Sequence, residues 1–383
     1  MNPAAVIQTL ADLVRINSVN PAYPDGRPEA DIAAFIRRFF AERKIENWEQ
    51  EVFPGRPNVI ARLAGRDPAS RVVFEAHMDT ASALGMSDPP FEPSLRDGRL
   101  YGRGSCDTKA GLAAMMHALA SLKQNGEVPP CEIWVVAAAD EEYSYRGVVK
   151  LCEGLKAVAG VVSEPTEMRL VIASKGCLRW KIRTLGKAAH SSKPHLGVNA
   201  ITHMARVVLA LVADAEKLTE VSHPLVHQPT MSIGTIEGGR QVNIVPDACS
   251  IEIDRRLIPG EEPALVLDHY QRLLAGLQAA DPELDAYMDR PMIEDGPLET
   301  PADSRVAQVA SRVLRDIGLN PEFVGVPYGS DASKLSRAGV PSILLGPGSI
   351  DQAHAAVEYV DCEEVEQAFE FYRRFMLLFS GEE

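Results

Sequence analysis

Apolar runs that end abruptly in polar residues recur along the chain. Residues 133–139 lead directly into three consecutive acidic residues, and residues 71–76 lead into a His-x-Asp segment. A shorter run at 160–162 ends in Ser163 and Glu164, and another at 341–345 leads into a Gly/Pro loop that carries His354. Apolar runs with β-branched residues predict strands that are buried on both faces, as in a parallel sheet. We therefore expect an α/β fold with a mainly parallel central sheet.

Apolar residues at helical spacing predict helices between and around these strands. The predicted helices span residues 3–15, 30–44, 110–122, 147–155 and 363–379, and a short strand is expected at 58–63. Strands that alternate with helices are typical of a layered α/β domain in which the helices cover the sheet.

The middle of the chain has a different pattern. Residues 178–184 and 250–256 alternate between apolar and charged positions, which predicts an antiparallel sheet with one face in water. Two helical stretches at 198–211 and 263–279 could cover the dry face of that sheet. The prediction is a larger α/β domain formed by residues 1–175 and 292–383, with a small α+β domain inserted at 176–291.

Composition narrows the possible partners. The chain has 383 residues, enough for two domains, and a formal net charge of −14. Nucleic acid is bound by a basic face, so this charge argues against nucleic acid and against an anionic membrane surface as partners. No apolar run is long enough to span a bilayer, and six cysteines are scattered singly. These features predict a cytoplasmic protein with reduced thiols.

Residues that can ligate metals follow several of the apolar segments. In an open α/β sheet, ligands bind beyond the carboxyl ends of the strands. The candidates there are His77 with Asp79, Glu141 with Glu142, Glu164 and His354, and Asp107 follows a glycine-rich turn. Each has an ordinary explanation by itself: a solvated acidic turn, a surface histidine or, for Asp107, a helix cap. Their joint occurrence at strand and turn ends favours a shared site, because adjacent carboxylates at a buried strand end need compensation.

Two histidines and three carboxylates suit a pair of divalent ions that share one bridging carboxylate. Zinc is the first choice for this set, and cobalt or manganese would fit the same ligands. Because cysteine is absent from the set, a catalytic site is favoured over a structural one. Glu141 and Glu142 are adjacent, so one can ligate while the other faces the reaction. Asp79, two residues from His77, could orient its imidazole.

Five motifs occur in order along the chain. They are His77-Met78-Asp79, Gly102-Arg103-Gly104-Ser105-Cys106-Asp107-Thr108-Lys109-Ala110-Gly111, Asp140-Glu141-Glu142, Ser163-Glu164-Pro165-Thr166 and Ala353-His354. This set resembles the dinuclear zinc metallopeptidase family M20, which includes acetylornithine deacetylase, succinyl-diaminopimelate desuccinylase and glutamate-releasing carboxypeptidases. The resemblance covers essentially the whole chain and is highly specific as a set.

The resemblance implies a role for each candidate ligand. His77 and Glu164 would be the terminal ligands of one metal, and Glu142 and His354 those of the other. Asp107 would bridge the two metals. The larger domain would then be the catalytic, metal-binding domain, and the inserted domain would be a lid or dimerisation domain.

The resemblance also implies residues that act on the substrate. Glu141 would be the general base, and Asp79 would orient His77. His190, in the segment 186–192, would reach the substrate carbonyl oxygen. The peptide bond that follows Asp107 would be cis.

A carboxylate on the substrate would be bound by Asn243 and Arg256, which lie in segments that resemble the family's substrate-binding motifs. Arg255 is the competing choice for this role. Arg256 could instead pair with Glu252 and Asp254, which share its face of the predicted strand. A small molecule with a free carboxylate, such as an N-acyl amino acid, is therefore the expected partner.

The implied activity is hydrolysis of the amide bond of an N-acyl amino acid, of the acetylornithine deacetylase or succinyl-diaminopimelate desuccinylase type. A carboxypeptidase or dipeptidase acting on short peptides is the alternative within the family. A non-catalytic binding protein that retained the fold is the alternative from another class, and the complete ligand set argues against it. A homodimer through the inserted domain is expected, since the outer strand of that domain would otherwise be an open edge.

Two further readings are disfavoured by missing features. A nucleotide-binding protein would need a third glycine at the fingerprint spacing after Gly102 and Gly104, or a Gly-Lys-Ser/Thr loop, and neither is present. Cys106 beside Asp107 raises the hypothesis of a nucleophilic thiol, but no His–Asn pair at a suitable spacing supports it.

Overall fold

The computed structural model describes residues 3–381, and the chain divides into two compact units. The first unit comprises Met1–Ile172, Thr300–Val324 and Ser330–Glu383, and the second comprises Ala173–Glu299 and Gly325–Gly329. The segment 176–291, expected as an inserted domain, lies within the second unit. The lid and dimerisation roles expected for that segment stay predictions.

Helices and strands alternate along most of the chain. The helices are α1 (Pro3–Arg15), α2 (Ala30–Glu42), α3 (Lys109–Asn125), α4 (Arg146–Cys152), α5 (Ala200–Glu216), α6 (Pro263–Ala280), α7 (Arg305–Asp316), α8 (Asp331–Arg337) and α9 (Cys362–Leu378). The strands are β1 (Glu46–Phe53), β2 (Arg56–Leu63), β3 (Asp67–His77), β4 (Ser94–Arg96), β5 (Arg99–Tyr101), β6 (Cys131–Ala138), β7 (Ala159–Val162), β8 (Leu170–Ser174), β9 (Gly176–Leu185), β10 (Thr230–Gly238), β11 (Ala248–Leu257), β12 (Asp285–Met288), β13 (Ile293–Asp295), β14 (Leu298–Glu299), β15 (Phe323–Val326), β16 (Ser342–Leu344) and β17 (Tyr359–Asp361). Within residues 3–381, no helix has the length and apolar character that crossing a bilayer requires.

The central sheet of the first unit has the order β1-β2-β6-β3-β7-β16, and β8 follows β16. Strand β3 runs parallel to both β6 and β7, and β16 runs parallel to β7. Their buried residues form near-continuous apolar runs, because helices cover both faces of a parallel sheet. The expected α/β fold with a mainly parallel central sheet is confirmed. The carboxyl ends of these four strands therefore meet at one edge of the sheet.

Helix α3 packs closely on this sheet. Nearly all of its residues are buried, and small side chains such as Gly111 and Ala113 are frequent among them. A Cβ atom at Gly111 would overlap the hydroxyl of Ser163, which follows β7. The absence of a side chain at Gly111 thus brings the start of α3 next to the carboxyl end of β7.

The second unit contains an antiparallel sheet with the order β10-β11-β9-β12, and β13 also pairs with β9. Alternate residues of β9 and β11 are buried, as their sequence pattern predicts. Trp180 of β9 lies in a core with residues of α5 and α6, and its ring centroid is 5.0 Å from that of Tyr270. The alternation and the two covering helices predicted for this region are confirmed.

Some elements lack the pattern on which the sequence prediction relied. Strand β10 is largely exposed and β1 has no buried residue, so neither carries an apolar run. Both lie at the edge of a sheet, where much of a strand's surface stays in water. Helix α8 has only seven residues, too few for a clear period. Helix α7 does bury Val306, Ala310 and Val313 at helical spacing, so the sequence held a signal for it.

His117 of α3 is enclosed between α1 and α2. Its Nε2 lies 2.8 Å from the Thr9 hydroxyl, and its ring centroid lies 5.0 Å from that of Phe39. Burial, with a smaller contribution from the charge of Arg43, lowers the pKa of His117 from 6.5 to about 4. The folded protein therefore holds a neutral imidazole here.

We expect His117 to make the protein less stable in acid. Its unfolded imidazole binds a proton below about pH 6.5, whereas the folded form resists that proton until about pH 4, so stability falls by about 3 kcal/mol across this window. His117→Gln removes this proton uptake, and its free energy of unfolding should decline less steeply between pH 6.5 and pH 4. Urea titrations over that range measure the slopes. The exposed His195→Gln should keep the wild-type slope, and a wild-type slope in His117→Gln would contradict the assignment.

Candidate metal centre

The carboxyl ends of β3, β6, β7 and β16 form the edge of the central sheet where the predicted ligands come together. His77 is the last residue of β3, and Glu142 and Glu164 follow the ends of β6 and β7. His354 lies in the loop after β16, and Asp107 lies just before α3. The N-cap of α3 is Thr108, so Asp107 does not cap this helix. The Asp107–Thr108 peptide is cis, as the family resemblance implies.

One donor group consists of His77, Asp107 and Glu164, all of which are buried. One ligand atom from each lies within 4.8 Å of the others. His77 Nε2 is 3.0 Å from Asp107 Oδ1. Glu164 Oε1 is buried without a hydrogen-bond partner in the described part of the chain. An unpaired buried carboxylate oxygen beside an imidazole nitrogen is chemistry that a divalent cation satisfies.

A second donor group consists of Asp107, Glu142 and His354. His354 Nε2 lies 2.9 Å from Glu142 Oε2 and 3.4 Å from Asp107 Oδ2. Asp107 therefore belongs to both groups, with Oδ1 toward His77 and Oδ2 toward His354. This is the arrangement that a bridging carboxylate requires.

The side chains of the two donor groups shift one another's pKa values. Burial would raise the pKa of Asp107, but hydrogen bonds from His354 and His77 hold it below its ordinary range. Hydrogen bonds with Asp107 and Glu142 raise the pKa of His354 from 6.5 to about 11. Burial raises the pKa of Glu142 and, more strongly, that of Glu164. Carboxylates outnumber imidazoles here, so cations of higher charge would compensate the site more completely than protons do.

Glu141 belongs to neither donor group. Its Oε2 lies 4.0 Å from His77 Nε2, and its side chain is mostly buried. Burial raises the pKa of Glu141 well above 4.5, although the nearby His77 opposes this shift. Of the two adjacent glutamates, Glu142 thus lies among the possible ligands and Glu141 beside them.

The Asp79 carboxylate contacts the backbone that follows β6. It accepts hydrogen bonds from the N–H groups of Glu141 and Glu142, at 3.1 Å and 3.2 Å, and from the Asn20 side chain at 2.7 Å. His77 Nδ1 lies 2.9 Å from the backbone oxygen of Asp79 and 3.7 Å from its carboxylate. Asp79 therefore holds the turn that carries both glutamates, and its main chain contacts the imidazole.

Asp140, the first acidic residue after β6, is compensated by an arginine. Arg56 of β2 lies 2.8 Å from Asp140 Oδ1 and 2.6 Å from a carboxylate oxygen of Glu29. Asn20 and Ser144 also donate to Asp140. Asp140 therefore lies outside both donor groups and has an arginine as its cation. No local pattern reveals this pair, since Arg56 and Asp140 are 84 positions apart.

Cys106 does not have the surroundings of a nucleophile. Its thiol is buried and donates to the backbone oxygen of Ser349 at 3.3 Å. Burial and nearby carboxylates such as Glu358 raise the pKa of the thiol well above 9.0. A thiol of this kind is inert.

The predicted substrate-binding residues lie in the second unit. The segments around His190 and Asn243 pair with each other: the Ser191 N–H donates to the Asn243 oxygen at 3.0 Å, and His190 forms a bridge with Ile244. A cavity of about 580 Å³ lies at this pairing and is lined by residues that include Ser191, Asn199, Arg240, Gln241 and Ile244.

The two candidate arginines differ in exposure. Arg255 is buried and pairs with Glu261 at the next turn of the chain. Arg256 is partly exposed and lies 2.7 Å from Asp254, its neighbour on the same face. Arg256 is thus the more accessible of the two, and the pairing with Asp254 foreseen from the alternation is present.

The chain is similar to known proteins in both sequence and fold. A family model described as peptidase family M20/M25/M40 matches residues 73–378, more than half of the chain. An acetylornithine deacetylase from Myxococcus xanthus is 33% identical over 293 residues, covering 75% of this chain and 74% of the relative. A probable succinyl-diaminopimelate desuccinylase from Staphylococcus aureus is 27% identical over 389 residues, covering 93% and 92%. The crystal structure of a tripeptidase from Staphylococcus aureus has the same fold, with a TM-score of 0.80, 23% identity and coverage of 99% of this chain and 98% of that chain.

An α/β fold with residues that could hold metal ions at its strand ends, together with these matches, defines a hydrolase of linear amides or peptides. The chain belongs to peptidase family M20/M25/M40. The family resemblance found from the motifs is confirmed.

We expect Arg56 to be required for stability, because it compensates two buried carboxylates. Arg56→Met leaves Glu29 and Asp140 without their cation and should lower the free energy of unfolding by about 3–5 kcal/mol. Arg37→Met, which removes an exposed pair with Glu49, should cost less than about 1 kcal/mol. Urea titration of both variants measures the difference. Equal stabilities would show that Asp140 is compensated by another group.

Proposed function

We propose that this protein is a metal-dependent deacylase that hydrolyses the amide bond of N-acyl amino acids. The observation that carries the proposal is the pair of donor groups that share Asp107. The carboxylate of Glu141 lies beside these groups and belongs to neither. Each donor group offers one imidazole and two carboxylates, the ligand types of catalytic zinc.

Two divalent ions would be held by these groups, and zinc is our first choice. His77 and Glu164 would be terminal ligands of one ion, Glu142 and His354 those of the other, and Asp107 would be shared. When bound, the ions would supply a water of lowered pKa and polarisation of the amide carbonyl. Cobalt or manganese fits the same donor set.

Glu141 would act as the general base and then as the general acid. Its carboxylate would take a proton from the attacking water and return it to the leaving amine. The burial that raises the pKa of Glu141 supports this role, since a carboxylate with a raised pKa takes up a proton more readily than an ordinary one. Asp79, which accepts the N–H group of Glu141, would hold the base in place.

His190 would donate a hydrogen bond to the oxyanion that forms on the amide carbonyl. The Ser192 N–H donates to His190 Nδ1 at 3.1 Å, so Nδ1 acts as an acceptor. This contact favours the tautomer with its proton on Nε2, which is exposed and able to donate. A donor of this kind contributes about 3–4 kcal/mol to transition-state stabilisation.

Asn243 and Arg256 would bind the carboxylate of the substrate. The pairing of the Asn243 segment with the His190 segment supports a joint site, because both side chains are then presented by one part of the second unit. Binding at Arg256 would compete with its pair to Asp254, and the burial of Arg255 supports the choice of Arg256.

The substrate class rests on the relatives. Those that match at 33% and 27% identity carry the names of a deacetylase and a desuccinylase, both of which act on acylated amino acids. A carboxypeptidase or dipeptidase is the second candidate, because the family model describes peptidases.

A substrate panel tests the proposal. Zinc-loaded protein is assayed with N-acetyl and N-succinyl amino acids and with matched dipeptides, and kcat/KM is compared. We expect the acylated amino acids to be preferred. Preference for dipeptides would favour the second candidate, and turnover of neither class would contradict both.

We also propose a homodimer through the inserted segment and a cytoplasmic location. Strand β10 lies at the end of its sheet and carries the exposed Ile236, and Leu209 and Val212 of α5 are exposed as well. An apolar open edge of this kind favours pairing with a second copy. Sedimentation equilibrium that finds only monomers would exclude the dimer.

The six free cysteines support the proposed cytoplasmic location, because thiols stay reduced in a reducing compartment.

We expect Glu141→Gln and Glu142→Gln to behave differently although the residues are adjacent. Glu141→Gln should retain two ions per chain while kcat falls by about 10²–10⁴-fold, because the proton acceptor is lost. Glu142→Gln should lose metal as well as activity, because it removes a ligand. Metal analysis and kcat measured on the same preparations separate the two roles. Unimpaired turnover in Glu141→Gln would overturn its assignment as the base.

A further inference from the structure

Glu358 lies four residues after His354 and contacts the loop that carries Asp107. Its Oε1 accepts hydrogen bonds from the N–H groups of Cys106 and Asp107, at 2.9 Å and 3.1 Å. Its Oε2 lies 2.6 Å from Nη1 of Arg103. The Glu358 backbone oxygen accepts the N–H group of Gly102 at 3.1 Å.

This ion pair is deeply buried. The Glu358 side chain is fully enclosed, and that of Arg103 is 3% exposed. Removing two charges from water costs several kcal/mol for each ion, and apolar residues of similar volume often stabilise a fold as well or better. Stability alone therefore does not explain why a carboxylate stands here. The carboxylate of Glu358 is explained by the hydrogen bonds that it accepts from two successive N–H groups, because an apolar side chain cannot accept hydrogen bonds.

Arg103 extends the same set of contacts. Its Nη2 donates to the Ser82 oxygen at 2.8 Å, and its backbone N–H donates to Pro90 at 2.8 Å. Ser87 lies between Ser82 and Pro90, and its N–H donates to the backbone oxygen of Ala356, two residues after His354. The segments that carry Asp107 and His354 are thus joined to one another through hydrogen bonds.

We propose that Glu358, with Arg103, is a positioning residue that holds Asp107 so that one of its carboxylate oxygens faces each donor group. The inference rests on the proposed function, because it assigns Glu358 to the support of the shared metal ligand. Neither residue touches the donor atoms directly. Glu358 acts through the backbone of Asp107, and its position four residues from His354 links the shared ligand to a terminal one.

This role has a distinctive consequence for metal affinity. Asp107 belongs to both donor groups, so a change in its position weakens the binding of both ions together. Loss of a terminal ligand, as in Glu164→Gln, acts mainly on one ion. A residue that merely stabilises the fold changes neither affinity while the protein stays folded.

The first experiment measures the binding of Zn²⁺ to metal-free Glu358→Leu by competition with a chromophoric chelator. We expect both dissociation constants to rise by about 10–100-fold, the cost typical of losing a group that orients a metal ligand. The matched control is Glu132→Leu. Glu132 is likewise a buried carboxylate, held between Arg62 and Arg71 at 2.6 Å and 2.7 Å, but it lies at the amino end of β6. This control should bind both ions as the wild type does.

The second experiment uses Glu358→Gln, which keeps an oxygen for the two N–H groups but turns an amide NH₂ group toward Arg103. Its affinity for Zn²⁺ should fall less than that of Glu358→Leu. Adding Arg103→Met removes the clash between donors and leaves no buried charge unpaired, so the double variant should recover toward the wild-type affinity. Comparison of Glu358→Gln with the double variant tests the positioning role even if Glu358→Leu fails to fold.

Different results would contradict the proposed function and the positioning role of Glu358. If wild-type protein binds no pair of ions or hydrolyses no amide, the proposed function is wrong. If wild-type protein binds two ions and Glu358→Leu binds them as tightly as the Glu132→Leu control, the positioning role is wrong. Loss of only one ion, or a double variant no better than Glu358→Gln, would also overturn the role.

Discussion

Asp107 has one carboxylate oxygen 3.0 Å from His77 and the other 3.4 Å from His354. Around it lie the buried carboxylates of Glu141, Glu142 and Glu164. So much negative charge held away from water is unfavourable unless cations or hydrogen-bond donors compensate it. The need for that compensation governs this edge of the sheet, and the other parts of the site are best understood as ways of meeting it.

The protein meets this need with two kinds of partner. Arg56 and Arg103 neutralise carboxylates that lie behind the site, Asp140 with Glu29 and Glu358 respectively. Backbone N–H groups satisfy the oxygens of Asp79 and Glu358. Within the donor groups, His77 lies beside Asp107, His354 lies beside Asp107 and Glu142, and Glu164 keeps an unpaired oxygen. The donor groups thus keep a carboxylate oxygen free for a divalent ion, while the supporting carboxylates of Asp79, Asp140 and Glu358 are already satisfied.

Much of the fold and most of the candidate ligands could be predicted from the sequence, but for different reasons. Strands β3, β6 and β7 could be predicted because burial on both faces leaves a local apolar run. Strands β1 and β10, which have no buried residue, leave no such run and were not expected. The candidate ligands were identified because each follows a strand or a turn. The partners that support them, Asn20, Arg56 and Glu358, follow no comparable pattern.

The amino-acid sequence by itself determined the buried strands of the central sheet, the chemistry placed at their ends and the family to which the protein belongs. It did so because periodicity and motifs are properties of neighbouring residues. Only the tertiary structure decided which carboxylates are left for a cation. Glu358 and Cys106 are 252 positions apart, and Arg56 and Asp140 are 84 apart, yet each pair makes a hydrogen bond. Contacts of that range depend on how the whole sheet is assembled, so no local pattern in the chain encodes them.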